Sequence, residues 1–341
     1  MKRATIADVA ARAGVSRSTV SYALSNKRPI SEETRLRIQQ AINELGYRPD
    51  PTAQRLASGA KSRNIGFVLP LVAPEMTGLE MKFIAGASRV INQADYAFVL
   101  LAHSDRNPEN LVRFAQSGLV DGFILLEVHM HDDRVEMLQR EEIPFVLIGR
   151  CADNNGLYYV DTDIEDGMEQ VVSYLTGLGH RSIVYLYKDD PDYGFSVRAL
   201  QEYVAACRRH NINAITQTCQ LSPEAGEAAM YRILDQHPDV TAALVWSDIP
   251  TVGVVRAVQN RGRSIPGEFS VVCQEHSIIA NLATFLPSII DIRGDELASQ
   301  AAQMMIDLLE NKPIAQPQVL IPPKLIRGNG IASTQVTQGE I

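Results

Sequence analysis

The spacing of hydrophobic and polar positions along the chain changes near residue 64. Before that point, apolar residues recur three and four positions apart, as at Ile6, Val9, Ala10 and Ala13, which is the spacing of one face of a helix. After it, short continuous apolar runs alternate with segments of helical spacing. This change predicts a small helical domain followed by a larger α/β domain.

The first 25 residues predict two short helices joined by a tight turn. Thr5 and Asp8 have the spacing of a capping box, with Asp in the usual place of Glu or Gln, and Gly14 ends the first helix. Ser16 then caps a second helix that turns Val20 towards the core. Two helices meeting at a glycine-containing turn predict a helix-turn-helix, whose second helix is shaped to enter a DNA major groove.

A third helix is predicted from about Glu32 to Leu45, with Ser31 as its N-cap and Gly46 at its end. The stretch TAQRLASG follows two prolines and can form one more helix of about two turns. A helix this short is marginal in water, so it is expected to form only when another surface packs on it. A plain linker is the alternative interpretation of the same residues.

From residue 64 the apolar runs predict two parallel sheets with helices on both faces, because strands that are apolar at every position are buried on both sides. Two such lobes bind ligands in the cleft between them, at the carboxyl ends of their strands. The pattern restarts after Tyr158–Asp161, and residues 311–323 are expected to form a return crossing before a strand at Lys324–Ile326. The other predicted strands are Ile65–Leu69, Ala97–Leu101, Gly122–Leu126 and Phe145–Ile148 in the first lobe, and Ile183–Leu186, Ala214–Thr218, Ala242–Val245 and Phe269–Val272 in the second.

Charge is distributed unevenly between the two predicted parts. Residues 1–63 contain 12 Lys and Arg against 5 Asp and Glu, a balance of +7, and the remaining 20 against 35 give −15, which sums to the overall −8. Such an asymmetry places the positive field where a polyanion binds.

With 45% hydrophobic and 21% charged residues, and neither a membrane-length apolar run nor a signal peptide, the chain is expected to be a globular protein of the cytoplasm.

Catalytic motifs are missing from the sequence. It contains no GxSxG, HExxH, GxxxxGK[ST] or strand-linked GxGxxG, so neither an enzymatic activity nor a cofactor is expected. His129 and His131, in a polar loop, are expected to be solvated rather than bound to a metal. The cysteines at 151, 207, 219 and 273 lack metal-ligand spacing and are expected to be buried or half-buried thiols, with a disulfide or a zinc site as the minor alternative, so no metal site is predicted.

The run GVSRSTVSYALSNKRPISEETRLRIQQAINELGYRPDPTAQRLASG, Gly14–Gly59, resembles the DNA-binding headpiece of the lactose/galactose-repressor (LacI/GalR) family, and the resemblance continues more loosely along the core. It implies a helix-turn-helix headpiece over 1–48, a hinge helix and linker over 49–62, and a two-lobe core over 63–341. That core would be built like the periplasmic binding proteins, bind an effector and dimerise. The implied N-lobe spans about 63–161 and 291–323, and the implied C-lobe about 162–290 and 324–341.

The resemblance also implies which residues touch DNA. Arg17, Ser18 and Tyr22 take the base-reading positions of the recognition helix, where Arg17 can pair with both O6 and N7 of guanine. Tyr22 differs from the Arg or His common in the family, so the half-site sequence cannot be taken from a relative. Leu56 stands where the family inserts a pair of leucines into the minor groove. The expected phosphate contacts, helped by helix N-termini, are Thr5, Ser16, Thr19, Ser21, Asn26 and Thr34.

In the cleft, the resemblance implies that Arg198 hydrogen-bonds the effector. The other positions that it assigns to the effector are Arg150, Ser247, Asp248, Glu275 and Arg293. Arginine donors beside carboxylate acceptors suit a polyhydroxylated ligand, because each sugar hydroxyl both donates and accepts. Trp246, the only tryptophan, can stack on a sugar ring or can be an ordinary core residue at the end of a buried strand.

The predicted function is therefore an effector-controlled transcriptional regulator, expected to be a repressor, whose homodimer binds a pseudo-palindromic site on double-stranded DNA. A sugar is the expected effector. Three arginines also fit a phosphorylated ligand, so a sugar phosphate stays open, as does a nucleoside or purine. The rival class is a solute-binding protein of the same two-lobe architecture, which requires a secretory signal and has no basic headpiece.

Overall fold

The computed structural model describes residues 4–25, 28–47, 61–70, 76–102, 107–274 and 286–331. Contacts between residues divide the chain into two compact units. One is formed by residues 1–63 and 114–121, and the other by residues 64–113 and 122–341. The described ranges contain 11 helices and 12 strands.

Three helices form the fold of the first unit: α1 (Ile6–Ala13), α2 (Arg17–Ser25) and α3 (Glu32–Leu45). The predicted capping box is present, since Thr5 Oγ1 accepts from Asp8 N at 3.4 Å and Asp8 Oδ2 accepts from Thr5 N at 2.8 Å. Gly14 has a φ of 69°, a left-handed conformation that ends α1 and that glycine adopts without strain. The helix-turn-helix and its local end signals are confirmed.

A small apolar core holds these helices together. Its fully buried side chains within the described ranges are Val9, Ala10, Ala13, Val20, Ile38 and Ala41. Because so few side chains bury little apolar surface, all three helices have to share them for the unit to be stable.

From residue 64 onwards, strands and helices alternate as predicted. The elements up to the first lobe's fifth strand are β1 (Asn64–Leu69), α4 (Gly78–Gln93), β2 (Ala97–Ala102), α5 (Pro108–Gln116), β3 (Gly122–Leu125), α6 (Asp133–Arg140), β4 (Phe145–Ile148) and β5 (Tyr159–Thr162). Those that follow are α7 (Ile164–Gly177), β6 (Ser182–Lys188), α8 (Gly194–Arg209), β7 (Asn213–Cys219), α9 (Pro223–Gln236), β8 (Ala242–Val245), α10 (Asp248–Asn260), β9 (Ser270–Gln274), β10 (Ser288–Asp291), α11 (Gly294–Leu309), β11 (Gln318–Ile321) and β12 (Lys324–Ile326).

The strands of the second unit form two six-stranded sheets. The first sheet has the order β11-β5-β4-β3-β1-β2, with parallel neighbours throughout. The second has the order β12-β10-β9-β8-β6-β7 and is parallel except for β12, which runs antiparallel to β10. Strands β3, β4 and β8 bury every residue, which explains their continuous apolar runs. The predicted two-lobe α/β core is confirmed.

The chain passes between the two sheets after β5, after β10 and again after β11. Helix α11 returns to the first lobe, where Leu297, Ala298 and Met305 join the buried cluster around Ile124 and Val146. Neither β10 nor α11 was predicted as an element, although the resemblance implied changes of lobe near residues 161, 290 and 323, and the sequence pattern predicted a return crossing over 311–323. The segment also contains β11, which was missed because it is a short strand at the sheet edge with three of its four residues outside the core.

Two glycines allow α9 and α10 to approach closely. A Cβ on Gly226 would overlap the carbonyl oxygen of Pro250, and one on Gly253 would overlap that of Pro223 and lie 2.5 Å from the nitrogen of Glu227. Backbone atoms cannot give way as a flexible side chain can, so this helix pair requires glycine at both positions.

Replacing Gly253 with alanine is expected to lower the free energy of unfolding by about 2–3 kcal/mol, because the two helices must separate to admit the methyl group. Urea denaturation followed by circular dichroism measures the change. Gly177→Ala is the matched control, since its Cβ would meet nothing within 4 Å on an exposed helix position. The control is expected to be neutral or slightly stabilising, and an equal loss in both variants would contradict the close-approach explanation.

Candidate functional site

Helix α2, which is predicted to read DNA, presents Arg17 and Ser18 as exposed side chains and Tyr22 as a half-buried one. The guanidinium of Arg28 lies over the Tyr22 ring, with its Cζ 5.1 Å from the ring centroid. This cation–π contact holds a long cationic side chain beside the recognition helix. Arg28 is not among the contacts predicted from the sequence, because nothing in its spacing connects it with α2.

Hydroxyl groups cluster at the start of α2. Ser16 Oγ lies 2.7 Å from Ser18 Oγ and 2.8 Å from Thr19 Oγ1, and it accepts a hydrogen bond from Thr19 N at 3.1 Å. Ser21, also predicted to contact phosphate, is half-buried. Small hydroxyls at a helix N-terminus, where backbone N–H groups point outwards, are well suited to phosphate oxygens.

The other predicted DNA contacts are placed differently. The Thr5 hydroxyl donates to Asp8 Oδ2 at 2.7 Å, so it is held within its own capping box. Thr34 Oγ1 accepts a hydrogen bond from Ser31 Oγ at 2.8 Å in the first turn of α3. Asn26, Leu56 and residues 49–60 of the predicted hinge lie outside the described residues.

In the second unit, a cavity of about 550 Å³ opens where the strands of both sheets end. Its lining includes Leu69, Ile148, Lys188, Trp246 and Gln274, which lie at or just after the carboxyl ends of β1, β4, β6, β8 and β9. Ligands of open α/β sheets bind at this edge, because the strands deliver their loops to one place. The volume falls within the range of small-molecule sites.

Trp246 fits both interpretations given for it above. Its indole Nε1 donates to the backbone oxygen of Cys219 at 3.1 Å, and its ring packs against two buried clusters of the second lobe. It also lines the cavity, together with Phe83, Tyr193 and Phe195. Anchoring the N–H on backbone leaves the ring as an apolar wall, which suits the apolar face of a sugar or a base.

Ser247 and Asp248, two of the predicted effector residues, also line the cavity. Ser247 Oγ donates to Asp248 Oδ1 at 3.2 Å. Asp248 Oδ2 and Gln274 Nε2 are buried, and within the described part of the chain neither has a hydrogen-bond partner. Two residues that line the cavity thus each hold a buried polar atom with bonding capacity to spare, and such groups are costly unless something pairs with them.

The predicted arginines do not line this cavity. Arg150 Nε donates to Asp161 Oδ2 at 2.8 Å, and Arg198 Nη2 lies 3.6 Å from the same oxygen while donating to the backbone oxygen of Arg150 at 2.8 Å. Burial lowers the pKa of Arg198, and the carboxylate of Asp161 opposes that effect. Both guanidinium groups therefore contact Asp161, which lines the cavity, while the arginines themselves do not.

Arg293 is also directed elsewhere. It precedes α11 in a left-handed conformation, donates to the backbone oxygen of Pro322 at 3.2 Å and forms an ion pair with Glu296. Glu275, the remaining predicted effector residue, lies outside the described residues.

Acidic side chains dominate the charged lining of the cavity. Lys188 is the only basic residue among the described lining residues, and its Nζ pairs with Glu127 Oε2 at 3.2 Å. Burial raises the pKa of Glu80, although the hydrogen bonds from Thr77 oppose the rise. The acidic lining residues are Glu80, Glu127, Asp161, Asp189 and Asp248. The positions of Asp161, Lys188 and Gln274 at strand ends could have identified them from the sequence, whereas nothing in the sequence pointed to Glu80.

Comparison with known proteins identifies the family. Residues 5–50 match the family described as bacterial regulatory proteins, lacI family, and residues 172–330 match the periplasmic binding protein-like domain. The HTH-type transcriptional regulator AglR of Rhizobium meliloti is 32% identical over 269 residues, which is 77% of this chain and 75% of AglR. The chain belongs to the lacI family. It is therefore a DNA-binding transcriptional regulator, and its relatives are regulators rather than enzymes.

Solved structures share the fold of this lacI-family chain. A complex of the transcriptional regulator CelR with cellobiose has a TM-score of 0.73 at 25% identity, covering 96% of this chain and 100% of that one. The lac repressor dimer bound to operator and the anti-inducer ONPF has a TM-score of 0.77 at 22% identity, covering 96% and 99%. At that identity the second likeness concerns the fold alone.

The cysteine thiols show no sign of reactivity. The four cysteines are buried free thiols, as predicted, and burial raises the pKa of Cys151 and of Cys219 to about 11. Thiols with such values stay protonated and unreactive at neutral pH. In the described ranges, no group of three or more His, Cys, Asp or Glu is arranged to hold a metal ion. None of the described helices is long and apolar enough to cross a membrane.

Arg17→Ala is expected to weaken binding to a DNA site selected from genomic fragments by about 1–3 kcal/mol and to relax base preference at one position of each half-site, because Arg17 is the exposed candidate for a bidentate guanine contact. Fluorescence anisotropy with the selected site and with single-base variants measures both effects. Arg12→Ala is the control, since Arg12 pairs with Glu44 at 2.5 Å. A uniform loss across all sites would make Arg17 a phosphate contact instead.

Proposed function

We propose that this chain is a repressor that binds a pseudo-palindromic operator as a homodimer, and that an uncharged sugar in the cavity controls its affinity for DNA. Control requires that the sugar prefer one arrangement of the lobes, since a ligand that binds all arrangements equally shifts nothing. A coupling of about 1–3 kcal/mol between the two sites suffices.

The buried pair of Asp248 Oδ2 and Gln274 Nε2 is the observation that carries the proposal for a sugar. One sugar hydroxyl can donate to the carboxylate and another can accept from the amide, so a ligand rich in hydroxyl groups suits this wall. Trp246 supplies an apolar surface beside them. The solved relative CelR holds cellobiose, and the cavity volume of about 550 Å³ suits a ligand of that class.

The charges of the cavity argue against a phosphorylated effector. The cavity is lined by five carboxylates and one ammonium group; Asp161 is paired with Arg150 and Arg198 and the ammonium with Glu127, so a phosphate group would still face an excess of carboxylates. The arginines on which a phosphate site was hypothesised lie behind Asp161 or beyond the lining. Like charges in so enclosed a space repel strongly, so an uncharged ligand is favoured.

The DNA side of the proposal starts from the headpiece. A single recognition helix contacts only one half-site, so specific binding calls for two headpieces on related half-sites, as in the lac repressor dimer on its operator. The hinge over 49–62, with Leu56 as a minor-groove wedge, is proposed to form only on DNA. The predicted domain limits of 1–48, 49–62 and 63–341 remain part of this proposal. A solute-binding role is not favoured, because the first 63 residues carry a charge of +7.

Gel-shift and thermal-shift measurements test the proposal together. Genomic fragments are screened at low salt, and the retained fragment is then titrated with cellobiose and other neutral disaccharides, with sugar phosphates and with nucleosides. A neutral sugar is expected to change fragment retention and, at a hundred times its Kd, to raise the free energy of unfolding by about 2.7 kcal/mol. A response to sugar phosphates or nucleosides alone would show that the effector belongs to that class and is not a neutral sugar. Binding of one protomer per fragment would contradict the proposal that the chain binds DNA as a homodimer.

Asp248→Asn is expected to weaken binding of the identified sugar by about tenfold to a hundredfold, because a charge-assisted hydrogen bond contributes about 1.5–3 kcal/mol. The melting temperature of the unliganded protein should stay the same or rise, since a buried charge is removed. Isothermal titration calorimetry and thermal melts measure the two effects. Asp235→Asn, on an exposed ion pair with Arg261, should leave affinity unchanged. Equal affinities of the wild-type protein and Asp248→Asn for the sugar would show that Asp248 does not contact it.

A further inference from the structure

Two loops meet beside the cavity, residues 127–132 after β3 and residues 189–194 after β6. We call this contact the lobe seam, because each loop belongs to a different sheet. His129 and Tyr193 form an isolated antiparallel bridge across it. Its backbone hydrogen bonds run from Met130 N to Asp192 O at 2.8 Å and from Gly194 N to Val128 O at 3.0 Å.

The lobe seam also carries part of the cavity wall. Glu127 and Val128 line the cavity from the first loop, and Asp189 and Tyr193 line it from the second. Lys188, at the end of β6, reaches across to Glu127 and lies 4.1 Å from the centroid of the Tyr193 ring. The shape of the wall on this side therefore depends on how firmly the two loops are joined.

His129 lies between two carboxylates of the opposite loop. Its Nε2 is 3.6 Å from Asp190 Oδ2 and its Nδ1 is 3.6 Å from Asp192 Oδ2, and its side chain is 22% exposed. A neutral imidazole has one N–H donor, whereas the imidazolium has two. The charged ring can therefore direct an N–H at each of the two carboxylates, whereas the neutral ring can direct one at only one of them.

Other charged groups surround the same contact. Lys188 Nζ is 3.9 Å from Asp190 Oδ2, and Asp132 Oδ2 accepts a hydrogen bond from the backbone nitrogen of His129 at 3.1 Å. His131 Nδ1 lies 3.3 Å from Asp192 Oδ1, but its side chain is 81% exposed, so water screens that ion pair. Among the described residues, the charged or titratable groups around this contact include Glu127, His131, Asp132, Arg134, Lys188, Asp190, Asp192 and Tyr193.

We propose that His129, as the imidazolium, is a positioning residue for the cavity: it ties the two walls together across the lobe seam, and the tie weakens when the ring loses its proton. The charged ring serves both carboxylates and the neutral ring serves one, so the seam loosens as rising pH removes the proton. The consequence for effector affinity rests on the proposed function. The pH dependence of the seam itself does not.

Hydrogen–deuterium exchange of the full-length protein tests the seam without a ligand. Peptides containing the Met130 and Gly194 amides are followed at pH 6 and pH 8, with intrinsic exchange rates corrected for pH. Their protection is expected to be about threefold to tenfold higher at pH 6, the range that two partly exposed ion pairs can supply. Acrylamide quenching of Trp246, the only tryptophan, is expected to be stronger at pH 8 because the cavity opens more readily.

His129→Gln should abolish both pH effects and give the wild-type pH 8 values throughout, because glutamine stays neutral. Asp190→Asn, which keeps the acceptor for the Tyr193 amide but removes the charge, should reduce them. His237→Gln, at the far end of α9, should behave as wild type. Wild-type protection that is the same at pH 6 and pH 8 would overturn the proposal, as would loss of the effect in His131→Gln but not in His129→Gln. Failure of every sugar to bind would count against the proposed function and leave this result standing.

Discussion

The cavity exists because parallel strands that are buried on both faces stop at a common edge. Within the strands the side chains must be apolar, since helices cover both faces, whereas at the strand ends the chain turns and polar side chains can enter the interior. Asp161, Lys188 and Gln274 occupy such ends. A buried charge needs a partner, and here Asp161 has two arginines while Lys188 has Glu127. Asp248 Oδ2 and Gln274 Nε2 belong to lining residues and have no hydrogen-bond partner within the described part of the chain, which is why the proposal assigns them to the ligand.

The same topology makes the cavity sensitive to how its two walls are arranged. The walls come from separate sheets that three chain crossings connect, and the lobe seam adds contacts that depend on side-chain charge. A ligand that hydrogen-bonds both walls stabilises one arrangement over others, which is the differential binding that any control requires. Ion pairs across the rim contribute to the same balance, so groups that never touch the ligand can alter its affinity.

Local signals in the sequence were sufficient for much of the fold. The capping box of Thr5 and Asp8 and the left-handed glycine after α1 act over four residues, and the continuous apolar runs of the central strands follow from burial alone. Strand β11 carried no such signal, because an edge strand is partly exposed and its pairing with β5 joins residues far apart in the chain. The Tyr22–Arg28 contact was not predicted for a related reason, because it depends on the path of the chain after α2 and not on the helical pattern.

Arg150 and Arg198 show why the ligand class was harder to predict than the fold. The family resemblance assigned both arginines to the effector, but a guanidinium is directed by the strongest acceptor within reach, and here both contact Asp161. Once both are committed to it, they offset a carboxylate that the cavity would otherwise present, and the other carboxylates stay in excess over Lys188. The arginines are thus engaged by Asp161, although their presence alone had been compatible with an anionic ligand, and the excess of the other carboxylates over Lys188 is what supports the proposed uncharged one.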